Sequence, residues 1–177
     1  INKGLNVQKG QPVLIGAPLE AAFFVKLMVK AAYECGASTV MIDWYDDEIN
    51  RMRFDYEPLE NFDKIEDFII SKSHHIVDQN FATIRISATD PESLNGVDSK
   101  KIMTQASAVN RDLSFRSEAT MRDELSWNVM SIPTLKWAKK VFPNEEDPIA
   151  CLWDAILKAV RCDSGDPIEN WNNHIEA

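Results

Sequence analysis

The clearest candidates for chemistry are four carboxylates that follow an apolar, strand-like segment. In the stretch VMIDWYDDEINR, residues 40–51, the apolar run leads directly into Asp43, Asp46, Asp47 and Glu48. Carboxylate oxygens bind hard cations such as Mg²⁺ and Ca²⁺. Polar groups just past a buried strand often form the sites of α/β enzymes. A metal site is therefore one interpretation of this segment.

A structural interpretation of the same acids competes with the metal site. Asp46, Asp47 and Glu48 suit the first turn of a helix, where negative charge complements the helix dipole by about 0.3–1 kcal/mol per residue. The spacing of an EF-hand loop, with its central Gly and terminal Glu, is absent. We favour acids at a helix start. Asp43 is not explained in this way, because it falls at the carboxyl end of the predicted strand.

The remaining candidate residues do not form a known reaction centre. His74 and His75 are adjacent and would project about 100° apart on a helix, whereas a metal pair needs i, i+4 spacing. His174 stands alone near the end of the chain. The first strand-to-helix turn, IGAPLEA, has one Gly and places a Glu where a phosphate would bind, so it lacks the features of a nucleotide site.

Three arginines on a predicted long helix, Arg111, Arg116 and Arg122, could bind a carboxylate through paired hydrogen bonds. Acidic residues surround them in the sequence. A solvated helix with ion pairs along its surface is therefore the interpretation that we favour for all three.

Composition excludes several classes of partner. The chain carries a net charge of −9, so it would repel a nucleic acid backbone or an anionic membrane. Acids dominate residues 43–67 and 144–177, whereas residues 84–140 are slightly basic. Uninterrupted apolar runs of about 18 residues, which would predict a membrane span, are absent. We predict neither a nucleic acid partner nor a membrane-bound state.

The cysteines indicate a reducing compartment. Cys35, Cys151 and Cys162 form an odd set without CxxC spacing, which predicts neither a disulfide framework nor a zinc knuckle. We therefore expect a cytoplasmic protein.

Alternating strand and helix signals predict the α/β class. We expect a doubly wound, mainly parallel sheet in a flavodoxin-like three-layer α/β/α arrangement, with a C-terminal helical extension and residues 1–177 forming one domain. Pro18 suits the first position of a helix, and the narrow polar face of the helix that follows suggests burial on most sides. The predicted strands are 13–17, 38–45, 81–88 and 127–132, and the predicted helices are 19–35, 62–79, 98–122, one that opens at Asp147 and Pro148, and one capped by Asp166.

The order of these elements resembles the thermophilic metalloaminopeptidases of the aminopeptidase T and aminopeptidase S type. The resemblance is carried by GLNVQKGQPVLIGAPLEAAFFVKLMVKAAYECGASTVMIDWYDDEINRMRF, by WNVMSIPTLKWAKKVFP, by LWDAI and by DPIENWNNH, and it spans nearly the whole chain. It implies an α/β domain followed by a second domain with a two-metal centre of Glu, His and Asp ligands. The Asn-x-Pro-Thr-Glu-Glu and Glu-Asn-x-x-x-His motifs that supply those ligands do not occur here.

The resemblance therefore implies the N-terminal part of a metal-dependent aminopeptidase that lacks the catalytic domain. No catalytic, cofactor-binding or metal-binding residue can be carried onto this chain, which we expect to be inactive alone and to bind no metal. The full-length enzyme would use two divalent ions (Zn²⁺, Co²⁺ or Mg²⁺), act on peptides and form a homodimer. This domain would form a wall of the substrate cavity, exclude large substrates and pack at the dimer interface.

One alternative comes from another class of function. A flavodoxin-like binding or signalling module could share this topology without any peptidase relationship. Receiver-like modules carry an acidic pair after the first strand, whereas here the acids follow the second strand. This difference disfavours the alternative.

Overall fold

A computed structural model describes residues 1, 3–88 and 92–176 of the chain. The chain divides into two compact units, residues 1–130 and 131–177. The prediction that residues 1–177 form one domain, the leading part of a two-domain enzyme, stays a prediction.

Four strands of the described residues form one sheet. They are β1 (Val13–Pro18), β2 (Val40–Tyr45), β3 (Ala82–Ser87) and β4 (Trp127–Ser131), in the spatial order β2-β1-β3-β4. β1 pairs in parallel with both β2 and β3. Since the chain moves from β1 to one side and then crosses back to the other, the sheet is doubly wound. The predicted fold class is confirmed, and the four predicted strands lie where the sequence places them.

Helices connect the strands on both sides of the sheet. Within the first unit they are α1 (Ala22–Glu34), α2 (Asp47–Tyr56), α3 (Asp67–Asp78) and α4 (Ser99–Met121), with short 3-10 helices at Leu19–Ala21 and Leu59–Phe62. α3 covers the sheet face that carries Leu14, because Ile76 packs there with Leu14 and Phe81. Right-handed crossovers place α1 on the opposite face.

Alternating apolar residues in the strands build the core of the first unit. Val13, Ile15 and Ala17 of β1 are fully buried. On β3, Ile86 is also fully buried and Ile84 is nearly so. A strand that is apolar along most of its length is typical of the middle of a parallel sheet, where both faces are covered. Gly16 and Arg85 interrupt this pattern on β1 and β3.

Two local predictions about the start of the first helix are wrong. Pro18 is the last residue of β1 and precedes a 3-10 turn, so the α-helix begins only at Ala22. The helix is also not covered on most sides, because Phe23 is 57% and Leu27 61% exposed. Only the face with Val25 and Met28 is buried among the described residues.

Other helix boundaries follow local signals closely. Gly36 ends α1 with a φ of +92°, the left-handed conformation that glycine adopts without strain. Lys9 side-chain and backbone atoms lie 3.3–3.6 Å from the position that a Cβ at Gly36 would take. The predicted helix over 62–79 is shorter than expected, because Phe62 closes a 3-10 helix and α3 begins at Asp67.

The second unit is helical and matches the predicted C-terminal extension. It contains α5 (Leu135–Val141), α6 (Pro148–Ala159) and α7 (Pro167–Glu176). The Asp147 side chain accepts a hydrogen bond from the Ala150 backbone N–H at 3.0 Å, which confirms the predicted cap of α6. Asp166 likewise accepts one from the Ile168 N–H at 2.8 Å. The Trp171 indole N–H donates to the Val160 carbonyl at 2.9 Å and fastens α7 to the end of α6.

Candidate functional site

Three of the four acids that follow β2 start a helix. Asp46 is the N-cap of α2, and its carboxylate accepts a hydrogen bond from the Ile49 backbone N–H at 2.9 Å. Asp47 and Glu48 occupy the first turn, where their charge is favourable beside the helix N-terminus. The interpretation of these residues as helix-start acids is confirmed.

Asp43 has a different environment from its neighbours. It is half-buried on β2, and its carboxylate forms an ion pair with the Lys72 ammonium of α3. Both side chains keep more than a third of their surface exposed, so the pair stabilises the fold by at most about 1 kcal/mol. The pairing joins the second strand to the helix that covers this face of the sheet.

The strand register places Asp43 in a row with a glycine and an arginine. Gly16 of β1 is the partner of Asp43 on one side and of Arg85 on the other. Partnered residues on neighbouring strands point to the same face, so these three form a polar row across the middle of the sheet. A Cβ at Gly16 would meet only the Ile84 carbonyl, at 3.9 Å. Gly16 therefore leaves open space between the carboxylate and the guanidinium.

Tyr45 of β2 contacts β3, the strand that carries Arg85 of the polar row. Its hydroxyl donates to the Ile86 carbonyl of β3 at 2.6 Å, and the Arg85 guanidinium lies 4.6 Å from its ring centroid. A guanidinium that stacks on an aromatic ring keeps its in-plane N–H groups for other acceptors. Tyr45 thus holds Arg85 without using its hydrogen-bond donors.

An open cavity of about 320 Å³ lies above the polar row. Arg116 and Thr120 of α4 form one wall, and Trp127 and Val129 of β4 form an apolar rim. Asp43, Gly16, Tyr45, Thr83 and Arg85 form its floor. Two guanidinium groups and one carboxylate, itself neutralised by Lys72, give this cavity a positive character in a chain whose net charge is −9.

Arg116 differs from the two other arginines of its helix. Arg111 pairs with Asp63 and Asp112, and Arg122 pairs with Glu118 and Glu124, as the prediction of surface ion pairs requires. Arg116 is half-buried, and the ion pairs of the described residues do not include it. Burial lowers the pKa of its guanidinium, and the Asp43 carboxylate opposes part of that shift. For Arg116 the prediction of a solvated, ion-paired arginine is wrong.

The histidines lie against aromatic rings. The imidazole of His74 stacks on Phe115 with 3.9 Å between ring centroids, and His75 meets the ring of Phe81 edge-on at 5.7 Å. His174 contacts Trp171 in the same edge-on manner. These contacts show that the three histidines pack against aromatic rings. This agrees with their positions in the sequence, where His74 and His75 are adjacent and His174 is isolated.

Metal ligation is a poor fit to the residues present. In the part of the chain that the structure describes, no group of three or more His, Cys, Asp or Glu side chains is arranged to hold a metal ion. The carboxylate of Asp43 faces an ammonium group, and that of Asp46 caps a helix. These acids therefore do not fit a two-metal centre. The described helices also include none long and apolar enough to cross a membrane.

Sequence reasoning missed the residues that surround Asp43. Local sequence patterns do not identify Lys72 or Arg85 as site residues, and they place Gly16 only in a strand-to-helix turn. One signal was available, because an Arg in the run ATIRIS and a Gly in VLIGAP break otherwise apolar strands. Their side-by-side position follows from the strand register, which local sequence does not determine.

Comparison with known proteins gives a consistent relationship over the whole chain. The model of the thermophilic metalloprotease (M29) family matches residues 1–177. Aminopeptidase AmpS of Bacillus subtilis is 35% identical over 176 residues, which are 98% of this chain and 43% of that protein. Aminopeptidase T of Thermus thermophilus is 34% identical, with 100% of this chain and 44% of that protein aligned.

The fold agrees with this relationship. The solved structure of wild-type AmpT from Thermus thermophilus superposes with a TM-score of 0.85 and 32% identity, over 98% of this chain and 43% of that one. This chain thus spans less than half the length of the relatives that it matches. The agreement in sequence and fold shows that the chain belongs to the thermophilic metalloprotease (M29) family.

Proposed function

We propose that this chain is the N-terminal, non-catalytic domain of a metal-dependent aminopeptidase that removes single residues from the amino ends of peptides. The observation that carries the proposal is the family match over residues 1–177, together with relatives that are named aminopeptidases. The fold similarity to AmpT at a TM-score of 0.85 supports it. The metal centre would lie in the part of the relatives that this chain does not cover.

The chemistry assigned to the missing part is metal-assisted hydrolysis. In the natural-length protein, two divalent ions, such as Zn²⁺, Co²⁺ or Mg²⁺, would activate a water and polarise the scissile carbonyl. The residues described here would supply a rigid scaffold beside that centre and restrict the size of its substrates. Asp43, Asp46, Asp47 and Glu48 take no part as ligands in this proposal, because each has a local structural role or lies at the cationic cavity.

A homodimer and a cytoplasmic location complete the proposal. Support for dimer packing comes from exposed apolar residues such as Phe23 and Leu27 of α1, which are candidates for contact with another domain or subunit. The odd number of cysteines, three in all and without CxxC spacing, supports a reducing compartment. Sedimentation of the natural-length protein tests the first point, and cell fractionation tests the second.

An enzyme assay with a blocked-substrate control tests the proposed activity. The natural-length protein should hydrolyse leucine p-nitroanilide when Co²⁺ or Zn²⁺ is present and lose this activity with a chelator. N-acetylleucine p-nitroanilide should not be cleaved, because an aminopeptidase needs a free amino group. Equal cleavage of both substrates, or activity that survives complete removal of metal, would refute the proposal.

A further inference from the structure

We propose that the cavity above the polar row is a binding site for a small organic carboxylate, held by the guanidinium groups of Arg116 and Arg85. This inference goes beyond the aminopeptidase proposal and does not depend on it. It rests on the arrangement of charge, open space and apolar surface on one face of the sheet.

The positive charge of the cavity favours binding of an anion. Asp43 is the acid among the described lining residues, and the Lys72 ammonium already neutralises it. Arg116 is half-buried, and no carboxylate partner for it is found among the described ion pairs. The Asp43 carboxylate, which is shared with Lys72, offsets only part of the effect of burying this guanidinium. A bound anion would therefore stabilise it.

The geometry suits a planar carboxylate in particular. Guanidinium groups bind carboxylates through pairs of parallel N–H···O bonds. The guanidinium of Arg85 lies over the ring of Tyr45. This stacking leaves the N–H groups in the guanidinium plane free to point toward a ligand. Thr83 and Thr120 also line the cavity, and the Thr120 hydroxyl donates to the backbone carbonyl of Arg116 at 2.9 Å.

Space and apolar surface define the rest of the ligand. The absence of a side chain at Gly16 keeps the floor open between Asp43 and Arg85. A cavity of about 320 Å³ is at the small end of ligand sites in proteins. Trp127 and Val129 at the rim would contact an apolar group attached to the carboxylate. An N-acylated amino acid has this combination of features.

Calorimetric titration of the natural-length protein tests the assignment. The probes are N-acetylphenylalanine, its uncharged amide, and inorganic phosphate. The acid should bind, and the amide should bind at least about tenfold more weakly, because it lacks the charge that the guanidiniums recognise. Equal affinity for acid and amide would overturn the proposal. Binding of phosphate alone would overturn it in favour of an inorganic anion site.

Two variants and a matched control locate the binding. Arg116→Gln should weaken binding of the acid by about tenfold or more, whereas Arg111→Gln, on the same helix but paired at the surface, should not. Gly16→Ala places a methyl group where no atom lies closer than 3.9 Å, so it should fold normally and weaken binding several-fold.

The binding measurements on these variants test the carboxylate site independently of the enzyme assay. Unchanged affinity in both Arg116→Gln and Gly16→Ala would place the bound acid elsewhere in the protein and overturn the assignment. Absence of any binding to the unmodified protein would also overturn it.

Discussion

At the scale of single residues, the four acids after β2 separate into two environments. Asp46, Asp47 and Glu48 start α2, and this was predictable because helix capping depends on neighbours within one turn. Asp43 pairs with Lys72 and lies beside Gly16. That environment was not predictable, because it depends on residues from two other elements, α3 and β1, that are distant in the sequence.

The N-cap of α2 gives a prediction that separates hydrogen bonding from charge. Asp46→Ala removes the acceptor for the Ile49 N–H and should lower the free energy of unfolding by about 1 kcal/mol. Asp46→Asn keeps an acceptor of similar reach and should lower it much less. Urea denaturation measures both variants. If Asn destabilises as much as Ala, charge rather than the hydrogen bond is the main contribution of Asp46.

The Cys151 thiol gives a prediction about pH dependence. Burial raises its pKa, and the carboxylates of Glu145, Asp147 and Asp154 add to this effect. Only the thiolate reacts with iodoacetamide, so a raised pKa leaves less reactive sulfur at a given pH. We expect the alkylation rate of Cys151 to rise at higher pH in the folded protein than in urea. Mass spectrometry of the alkylated peptide measures this rate.

A charge variant tests the cause of the Cys151 shift. Asp154→Asn should move the pH profile of the folded protein to lower pH, whereas Asp163→Asn should leave it in place. Coincident profiles for the folded and unfolded protein would contradict the raised pKa.

At the scale of elements, periodic patterns located the strands and helices, but their surroundings were less predictable. α4 and α6 begin where Asp98 and Asp147 cap them, because these signals are local. α1 was expected to be covered on most sides because its polar stripe is narrow. Its exposed residues show that apolar composition alone does not identify what packs against a helix.

The exposed apolar stripe near α1 predicts association of the isolated chain. Leu19, Phe23 and Leu27 follow one another at i, i+4 spacing and are 50%, 57% and 61% exposed. We expect the 177-residue chain to self-associate as its concentration rises, and the double variant F23K/L27K to do so less. Light scattering over a concentration series provides the measurement.

A control for this prediction is available on another helix. Tyr56 of α2 is 84% exposed and lies outside the stripe, so Tyr56→Lys adds a charge without changing the stripe. Reduced association in Tyr56→Lys to the same extent would show that net charge, rather than the stripe, controls it. A monodisperse monomer at all concentrations would contradict the prediction itself.

At the scale of the whole molecule, the sequence resemblance and the observed fold both indicate the thermophilic metalloprotease (M29) family. The order of elements was predictable because parallel α/β folds alternate strand and helix signals along the chain. The cationic cavity was not, because its charges converge only when β1, β2, β3 and α4 assemble. What the chain does within a natural-length protein follows from the family relationship and not from the described residues alone.

The most direct test of the central claim compares this chain with the natural-length protein. Hydrolysis of leucine p-nitroanilide, with Co²⁺ or Zn²⁺ added, is measured for equal molar amounts of both. We predict that only the longer protein is active, because the proposed metal centre lies in the part of the relatives that this chain does not cover. Metal-dependent cleavage by the 177-residue chain, lost when Asp43 or Glu48 is replaced by its amide, would contradict this account and place the reaction centre at the acids that follow β2.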